Sequence, residues 1–405
     1  MTSESSPSFD EIAEEAAELR VLKATAAAVL TRAWPPGSYR NMLGGPVPAF
    51  PTDLWATLVN LGWVDVLVSG EHGGGGSSLS HLCALTEAAG SALAPTPLAA
   101  AAAAAWCEGK TADGTSLVLP AAGELSDGKI SGRWPVVPYG GVAQRLLCLA
   151  SDTGGNHVLA AVDANGLGST VDAVVPLDRN PAARVTLAHA PAAIVLRGPD
   201  AVARHHAALM RARLAAMSEL IGVADAANAA ASDYARTRVA FGRPIGSFQA
   251  VKHRLVDQRT AIEVGRALLH RAAAAVERRH PDRSPLASLA LFWAIDALRS
   301  IAEGAIQVFG GIGCTWEHDA HAYLRRSACL VASLGSRAEH RANVVSWLRA
   351  VQNAGPAGVD SGQPAAGRPP SANSGAPGGD RARPPGADWD LSAPASMTQG
   401  NQSDA

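Results

Sequence analysis

The sequence predicts an α+β protein: an N-terminal helical domain over residues 9–112, a small middle β barrel over 113–200, a C-terminal helical bundle over 201–350 and a disordered C-terminal tail over 351–405. Three observations predict it. Apolar residues recur at helical spacing as far as about Ala105. Short apolar runs broken by Gly, Pro, Asp and Asn then take over as far as Leu196. Long helical patterns return from Ala201. Helices, then strands, then a helical bundle is the order of separate α and β domains, not of alternating βα units.

Each element has its own signal. Glu11, Ile12, Glu15, Ala16, Leu19 and Leu22 fall at helical spacing in the first segment. Asp53 opens a second helix, which Gly62 stops. Glu71 to Gly76 is a glycine-rich loop, and Ser77–Gly90 and Pro95–Trp106 read as two further helices. In the middle, 116–119, 136–137, 145–149, 157–162 and 192–196 are the apolar runs of short strands. Beyond them, helices are expected over 207–237, 247–280 (capped by Ser247 and ended by Pro281), 285–308, 319–334 and 337–350.

The tail differs in composition. Its 55 residues hold nine glycines, eight prolines and one aromatic residue, Trp389. Such a segment buries too little apolar surface to offset the entropy of ordering it.

Charge and cysteine usage exclude several classes. Lys and Arg number 34 against 36 Asp and Glu, a net charge of -2. That balance offers no basic footprint for nucleic acid or an anionic membrane. The five cysteines are scattered and never spaced as C-x-x-C, which argues against a disulfide framework or structural zinc. No secretory signal and no apolar run of bilayer length is evident, so a cytoplasmic location is expected. His318 and His321 lie three apart but have no third ligand beside them, so no metal site is expected. Glu71–Gly76 lacks the Lys-Ser/Thr of a phosphate-binding loop.

Two stretches carry chemistry. The first runs from Tyr234 through Arg238, Phe241, Gly242, Pro244, Phe248 and Gln249 to Leu255: a helix end, a Gly-Pro turn and a new helix. The second runs from Gln307 through Val308, Phe309, Gly310, Gly311, Gly313, Thr315 and Trp316 to Arg326. Taken singly, Arg238 reads as a cation at a helix end and Gly310-Gly311 as a helix stop. Together, in this order, the two stretches closely resemble the C-terminal domain of the acyl-CoA dehydrogenase family. Leu61-Gly-Trp63, Glu71 to Gly74 and Glu87-Ala-Ala-Gly90 are similar to the family's N-terminal domain. The resemblance covers about residues 9–350.

The resemblance implies FAD and the introduction of an α,β double bond into a CoA thioester. A carboxylate base removes the α proton and the flavin accepts hydride from the β carbon. In this family the flavin straddles a subunit contact. The resemblance therefore places Arg238 against the pyrophosphate, where a guanidinium fork suits phosphate oxygens. It places Phe241, Phe248 and Gln249 along the adenosine arm. Gln307 and the backbone of Val308, Phe309, Gly310 and Gly311 lie against the same cofactor.

Three departures qualify that picture. The base of the family's largest branch falls, by count from Gly310, on Leu334. The base of a second branch falls, by count from Arg238, on Ala212; the Arg that follows it is kept as Arg213, expected to bind substrate. The loop that bonds the flavin in the β domain has no room between Leu117 and Gly132, and the ring-contact positions fall on Val136 and Pro138. Glu219, Glu317, Asp319 and Glu339 are the nearby acids. Glu219 lies about 10 Å along the helix from Ala212, and Glu317 and Asp319 suit a helix start. Each reads as structural, so no catalytic residue is assigned.

The expectation is a flavoprotein subunit of acyl-CoA dehydrogenase type that completes the FAD site of a catalytic partner in a hetero-oligomer. The alternatives are a self-sufficient FAD-dependent dehydrogenase with a non-standard base, as a homotetramer, and a non-enzymatic scaffold of the same fold.

Overall fold

The structure, a computed structural model, describes residues 9–45 and 50–353. Five helices come first: α1 (Phe9–Ala33), α2 (Ser38–Gly44), α3 (Thr52–Asn60), α4 (Leu79–Ser91) and α5 (Leu98–Glu108). Seven strands follow: β1 (Ser116–Val118), β2 (Gly123–Ser126), β3 (Lys129–Pro138), β4 (Arg145–Ser151), β5 (His157–Asp163), β6 (Ser169–Val174) and β7 (Ala182–Arg197). Then come α6 (Pro199–Thr237), α7 (Gln249–Glu277), α8 (Arg283–Phe309), α9 (Ala320–Ser333) and α10 (Arg337–Asn353).

The strands close into a barrel. β4 pairs with β2, β2 with β3, β3 with β7, β7 with β5, and β5 returns to β4. β1 joins outside this ring on β4, and β6 on β7. Leu117, Ile130, Trp134, Leu146, Val185 and Leu187 are among the side chains that fill its core. β7 is far longer than the run 192–196 that announced it. Its first half alternates buried and exposed residues (Arg184, Val185, Thr186, Leu187), a weaker signal than a continuous apolar run.

The helices share one apolar core, in which α3, α4 and α5 meet α6, α7 and α8. α4 and α6 cross at glycine. A Cβ on Gly90 would lie 2.0 Å from the Glu219 carbonyl oxygen, and one on Gly222 would lie 2.0 Å from that of Glu87. The Glu87-Ala-Ala-Gly90 pattern is thus a backbone-approach site. Glu87 is buried there and accepts bonds from Lys23 at 2.5 Å and Arg266 at 2.7 Å, which ties α1, α4 and α7 together.

Some boundaries move. α6 begins at Pro199, eight residues before the predicted start, because proline fits the first turn of a helix and Gly198 at φ 69° turns the chain into it. Ser247 does not cap the next helix. It ends a 3-10 turn (Ile245–Ser247), its Oγ is buried without a partner, and α7 starts behind the extended backbone of Phe248. α10 continues to Asn353, so residues 351–353 of the predicted tail are helical. The rest of that tail lies outside the described residues. α8 is long and apolar enough to cross a bilayer, contrary to the sequence reading; half of its apolar window is buried inside the protein.

Candidate functional site

A cavity of about 410 Å³ opens between the barrel and the helices. Thr96, Pro97, Ala99 and Ala100 at the start of α5 line one side, and Val136, Val137 and Pro138 of β3 another. α6 contributes Ala212, Arg213, Ala216 and Glu219; the end of α9 contributes Leu330, Ser333 and the following Gly335. The lining is mostly apolar, the usual character of a small-molecule site.

Both positions counted as a family base arrive at this cavity. Ala212 lines it directly. Leu334 lies between Ser333 and Gly335 but turns its side chain into the core, fully buried. Its carbonyl accepts a bond from His340 Nε2 at 2.9 Å. Gly335 has φ 102°, a conformation that needs glycine, and a Cβ there would lie 3.2 Å from the Arg213 guanidinium carbon. Arg213 is half-buried, and burial lowers its pKa, with Glu339 acting in the opposite sense.

One end of the cavity is charged. Arg326 of α9 donates to Glu219 Oε1 from Nε at 2.8 Å and also from Nη2, and to Asp178 Oδ2 from Nη1 at 2.8 Å. Tyr139 completes the group: its hydroxyl accepts from Asn180 Nδ2 at 3.1 Å and from Arg326 Nη2 at 3.4 Å. All of these side chains are buried. Burial opposes the Arg326 charge, but Glu219, Tyr139 and Asp178 outweigh it and hold the guanidinium well above its ordinary pKa. Burial raises the Glu219 carboxyl, with Arg326 pulling against it. Glu219 is therefore a structural ion-pair partner that also faces the cavity, which the distance count from Ala212 did not anticipate.

The other acids lie elsewhere. Asp319 bonds Arg40 at 2.8 Å and so ties α2 to the start of α9. Glu317 and Glu339 are exposed. His318 stacks on Phe309 with centroids 4.0 Å apart, and His321 meets Trp316 edge-on at 4.9 Å. Among the described residues no three His, Cys, Asp or Glu side chains gather as metal ligands.

The cavity does not suit a flavin ring of its own. β1 and β2 are joined by residues 119–122 alone, and Ala121 O is taken by the Trp134 indole at 3.1 Å. Pro138 has no N–H to offer, and Tyr139, at φ 59°, is buried immediately beside it. The residues present therefore do not fit the ring.

The second constellation lies on the surface. Tyr234 of α6 packs on Phe309 of α8 with centroids 4.9 Å apart, over a cluster that includes Ala231, Ala235 and Val308. This contact brings the end of α6, with Arg238, beside the end of α8, with Gly310 and Gly311. Arg238, Phe241, Gln249, Gln307, Gly310 and Gly311 are exposed, and Phe248 is half-exposed. Phe241 is 95% exposed at φ 53°, edge-on to Phe248 at 6.3 Å, and Arg243 stacks on the Phe248 ring at 4.1 Å. Val308 and Phe309 differ from the rest of the set: both are buried in the core. A Cβ on Gly310 or Gly311 would meet nothing within 4 Å. Gly310, at φ 65°, needs glycine for its own backbone conformation, but nothing in the chain demands glycine at Gly311, which fits close approach by something outside the chain. A guanidinium beside exposed aromatic rings and open glycines suits a dinucleotide arm.

Sequence reasoning missed Arg326, Asp178 and Tyr139. One signal was available: Glu219 is the one charged residue in the apolar stretch 214–224, and a carboxylate there must find a buried partner.

Comparison with known proteins bears on the family and the fold. Residues 202–349 match the family model of the acyl-CoA dehydrogenase C-terminal domain. Acyl-CoA dehydrogenase FadE34 of Mycobacterium tuberculosis is 35% identical over 317 residues, which cover 76% of this chain and 42% of that protein. The chain thus spans less than half the length of FadE34. Acyl-CoA dehydrogenase IpdE2 of Mycolicibacterium smegmatis is 29% identical over 314 residues, covering 76% of this chain and 92% of its own length. Among solved structures, a glycine-to-alanine variant of the Tcur3481-Tcur3483 steroid ACAD superimposes with a TM-score of 0.75 at 26% identity, covering 84% of this chain and 99% of its own.

Proposed function

The chain belongs to the acyl-CoA dehydrogenase family, and from that premise we propose that it is the base-free subunit of a mixed assembly, completing the FAD site of a related catalytic subunit. The observation that carries the proposal is a division within one chain. The cavity presents Ala212 and a buried Leu334 at the two base positions and Pro138, without an N–H, at a ring-contact position, while the Arg238–Gly311 surface stays open.

FAD, when bound, supplies hydride acceptance in the α,β-dehydrogenation of an acyl-CoA thioester. This chain's share is to hold its far end. Arg238 pairs with phosphate oxygens, Phe241 and Phe248 offer ring faces, and the backbone at Gly310 and Gly311 permits close approach. Gln249 and Gln307 add hydrogen-bonding groups on the same surface. Two features of the relatives support a paired arrangement. FadE34 has more than half its length left over beyond the match, room for a second unit of this size. The steroid ACAD carries two names joined. We propose fatty or sterol-derived acyl thioesters as the substrate class of the assembly.

The test is flavin absorbance per chain, with the protein purified alone and after co-expression with a related subunit. Alone, it should be colourless; with the partner, one FAD should accompany each pair of chains. Stoichiometric FAD and acyl-CoA oxidation by the chain alone would sink the proposal.

A second reading has one observation in its favour. Glu219 faces the cavity, so a self-sufficient dehydrogenase would use it as base. Glu219→Gln would then abolish turnover by the isolated chain, whereas the paired-subunit reading expects no turnover to lose.

A further inference from the structure

We infer that the cavity of this chain is itself a binding site, for an amphiphile with an apolar body, an oxyanion at one end and a hydroxyl at the other. The inference rests on the reading that no dehydrogenation takes place in this cavity.

The walls select the body. Ala99, Ala100, Val137, Ala216 and Leu330 enclose about 410 Å³, within the range of sites that take small apolar molecules. Filling that space removes apolar surface from water on both sides.

Arg213 selects the oxyanion. It lines the cavity from α6, is half-buried, and forms no ion pair among the described residues. Its neighbours on the cavity wall, Leu209, Ala212 and Ala216, have no charge to give it. A cation in so apolar a setting favours an anion, and a guanidinium grips a carboxylate through two parallel bonds.

Glu219 selects the hydroxyl. It is 5% exposed and lines the same cavity. Both bonds from Arg326 go to Oε1, and no protein donor among the described residues reaches Oε2. Oε2 is not among the buried unpartnered atoms, so it stays reachable and can accept from a ligand O–H.

The helix sets the spacing. Arg213 and Glu219 lie six residues apart on α6, about 9 Å along its axis. A ligand must carry its oxyanion and hydroxyl about that far apart across an apolar middle. A short hydroxy acid has this form, and 6-hydroxyhexanoate, which is about that long when extended, is the probe.

The test uses the full chain, purified alone and free of flavin. Calorimetric titration compares 6-hydroxyhexanoate, hexanoate and 1,6-hexanediol. The hydroxy acid should bind about fivefold or more tighter than either of the others. Arg213→Gln should erase its advantage over the diol, and Glu219→Gln its advantage over hexanoate. Ala212→Phe, which fills the cavity, should weaken all three at least about tenfold. Thermal unfolding checks that each variant is folded. If Glu219→Gln does not fold, Arg213→Gln and Ala212→Phe still decide the matter. Equal affinity for the three probes, no binding, or affinities untouched by Ala212→Phe would overturn the inference. None of these readouts involves a partner or a flavin. Failure here beside a flavin-loaded mixed complex overturns this inference alone; FAD bound stoichiometrically by the isolated chain overturns the functional reading.

Discussion

Arg326 and Glu219 stand 107 positions apart in the chain, yet the guanidinium Nε lies 2.8 Å from the carboxylate, deep between α6 and α9. Asp178, from the segment between β6 and β7, takes the opposite side of the same guanidinium at 2.8 Å. One buried cation thus joins the barrel to two helices. Arg326→Ala leaves two buried carboxylates without their cation and should destabilise the protein by about 3–5 kcal/mol. Urea unfolding with an unchanged slope would measure it. A loss below about 1 kcal/mol would show that the pair is solvated.

A second expectation concerns acid. His205 is buried with Nε2 bonded to Leu119 O at 2.8 Å and Nδ1 without a partner. His340 is buried in the same way against Leu334 O, and both ring nitrogens of His321 lack partners. Burial lowers the pKa of all three. The unfolded chain therefore binds protons more readily than the folded one just below about pH 6.5, so stability is full above that value and falls as the pH drops through it. Melting temperature against pH should decline from about 7 towards 5. His205→Asn should flatten the slope, and an unchanged slope would clear that residue.

The crossing of α4 and α6 gives a third. Gly222→Ala would drive a methyl group into the Glu87 carbonyl, which neither helix backbone can yield cheaply. A cost of about 1–3 kcal/mol or more is expected. Gly311→Ala, whose new Cβ meets nothing within 4 Å, should be close to neutral in the same assay. Parity between the two variants would contradict the close crossing.

The exposed constellation gives a fourth. Arg238 makes no side-chain bond among the described residues and lies on the surface. Arg238→Ala should change the stability of the isolated chain by no more than about 0.5 kcal/mol. In complex with a flavin-bearing partner it should lower FAD retention about tenfold or more through the lost phosphate contact. Retention equal to that of the unaltered chain would remove Arg238 from the cofactor's surroundings.

Much of this was legible from sequence, for definite reasons. Helices with a clear stop or entry residue, such as Gly62 after α3 or Gly310 after α8, fall within a few residues of their predicted limits. Strands announced by continuous apolar runs, such as β4 and β5, were visible. β6 was not: its residues are largely solvent-facing and carry no apolar run. Each half of the surface constellation was readable because its residues are local in sequence; that the halves lie side by side comes from the Tyr234–Phe309 contact. The charged end of the cavity was not, because Glu219, Asp178 and Arg326 meet only through the fold. The Ser247 cap failed because the chain from Arg238 to Phe248 is held by its own bonds, Ile245 N–H to Arg238 O and Phe248 N–H to Ile245 O, and leaves the hydroxyl no role at the helix start.

Because the barrel strands pair edge to edge in a closed ring, few of their peptide groups are left to recruit a foreign strand. The remaining rims belong to β1, only three residues long, and to β6, which carries Asp172 at its middle as a charged deterrent. A sheet closed this way keeps to itself and does not seed fibres. Asp172→Val would test whether that restraint depends on a single carboxylate.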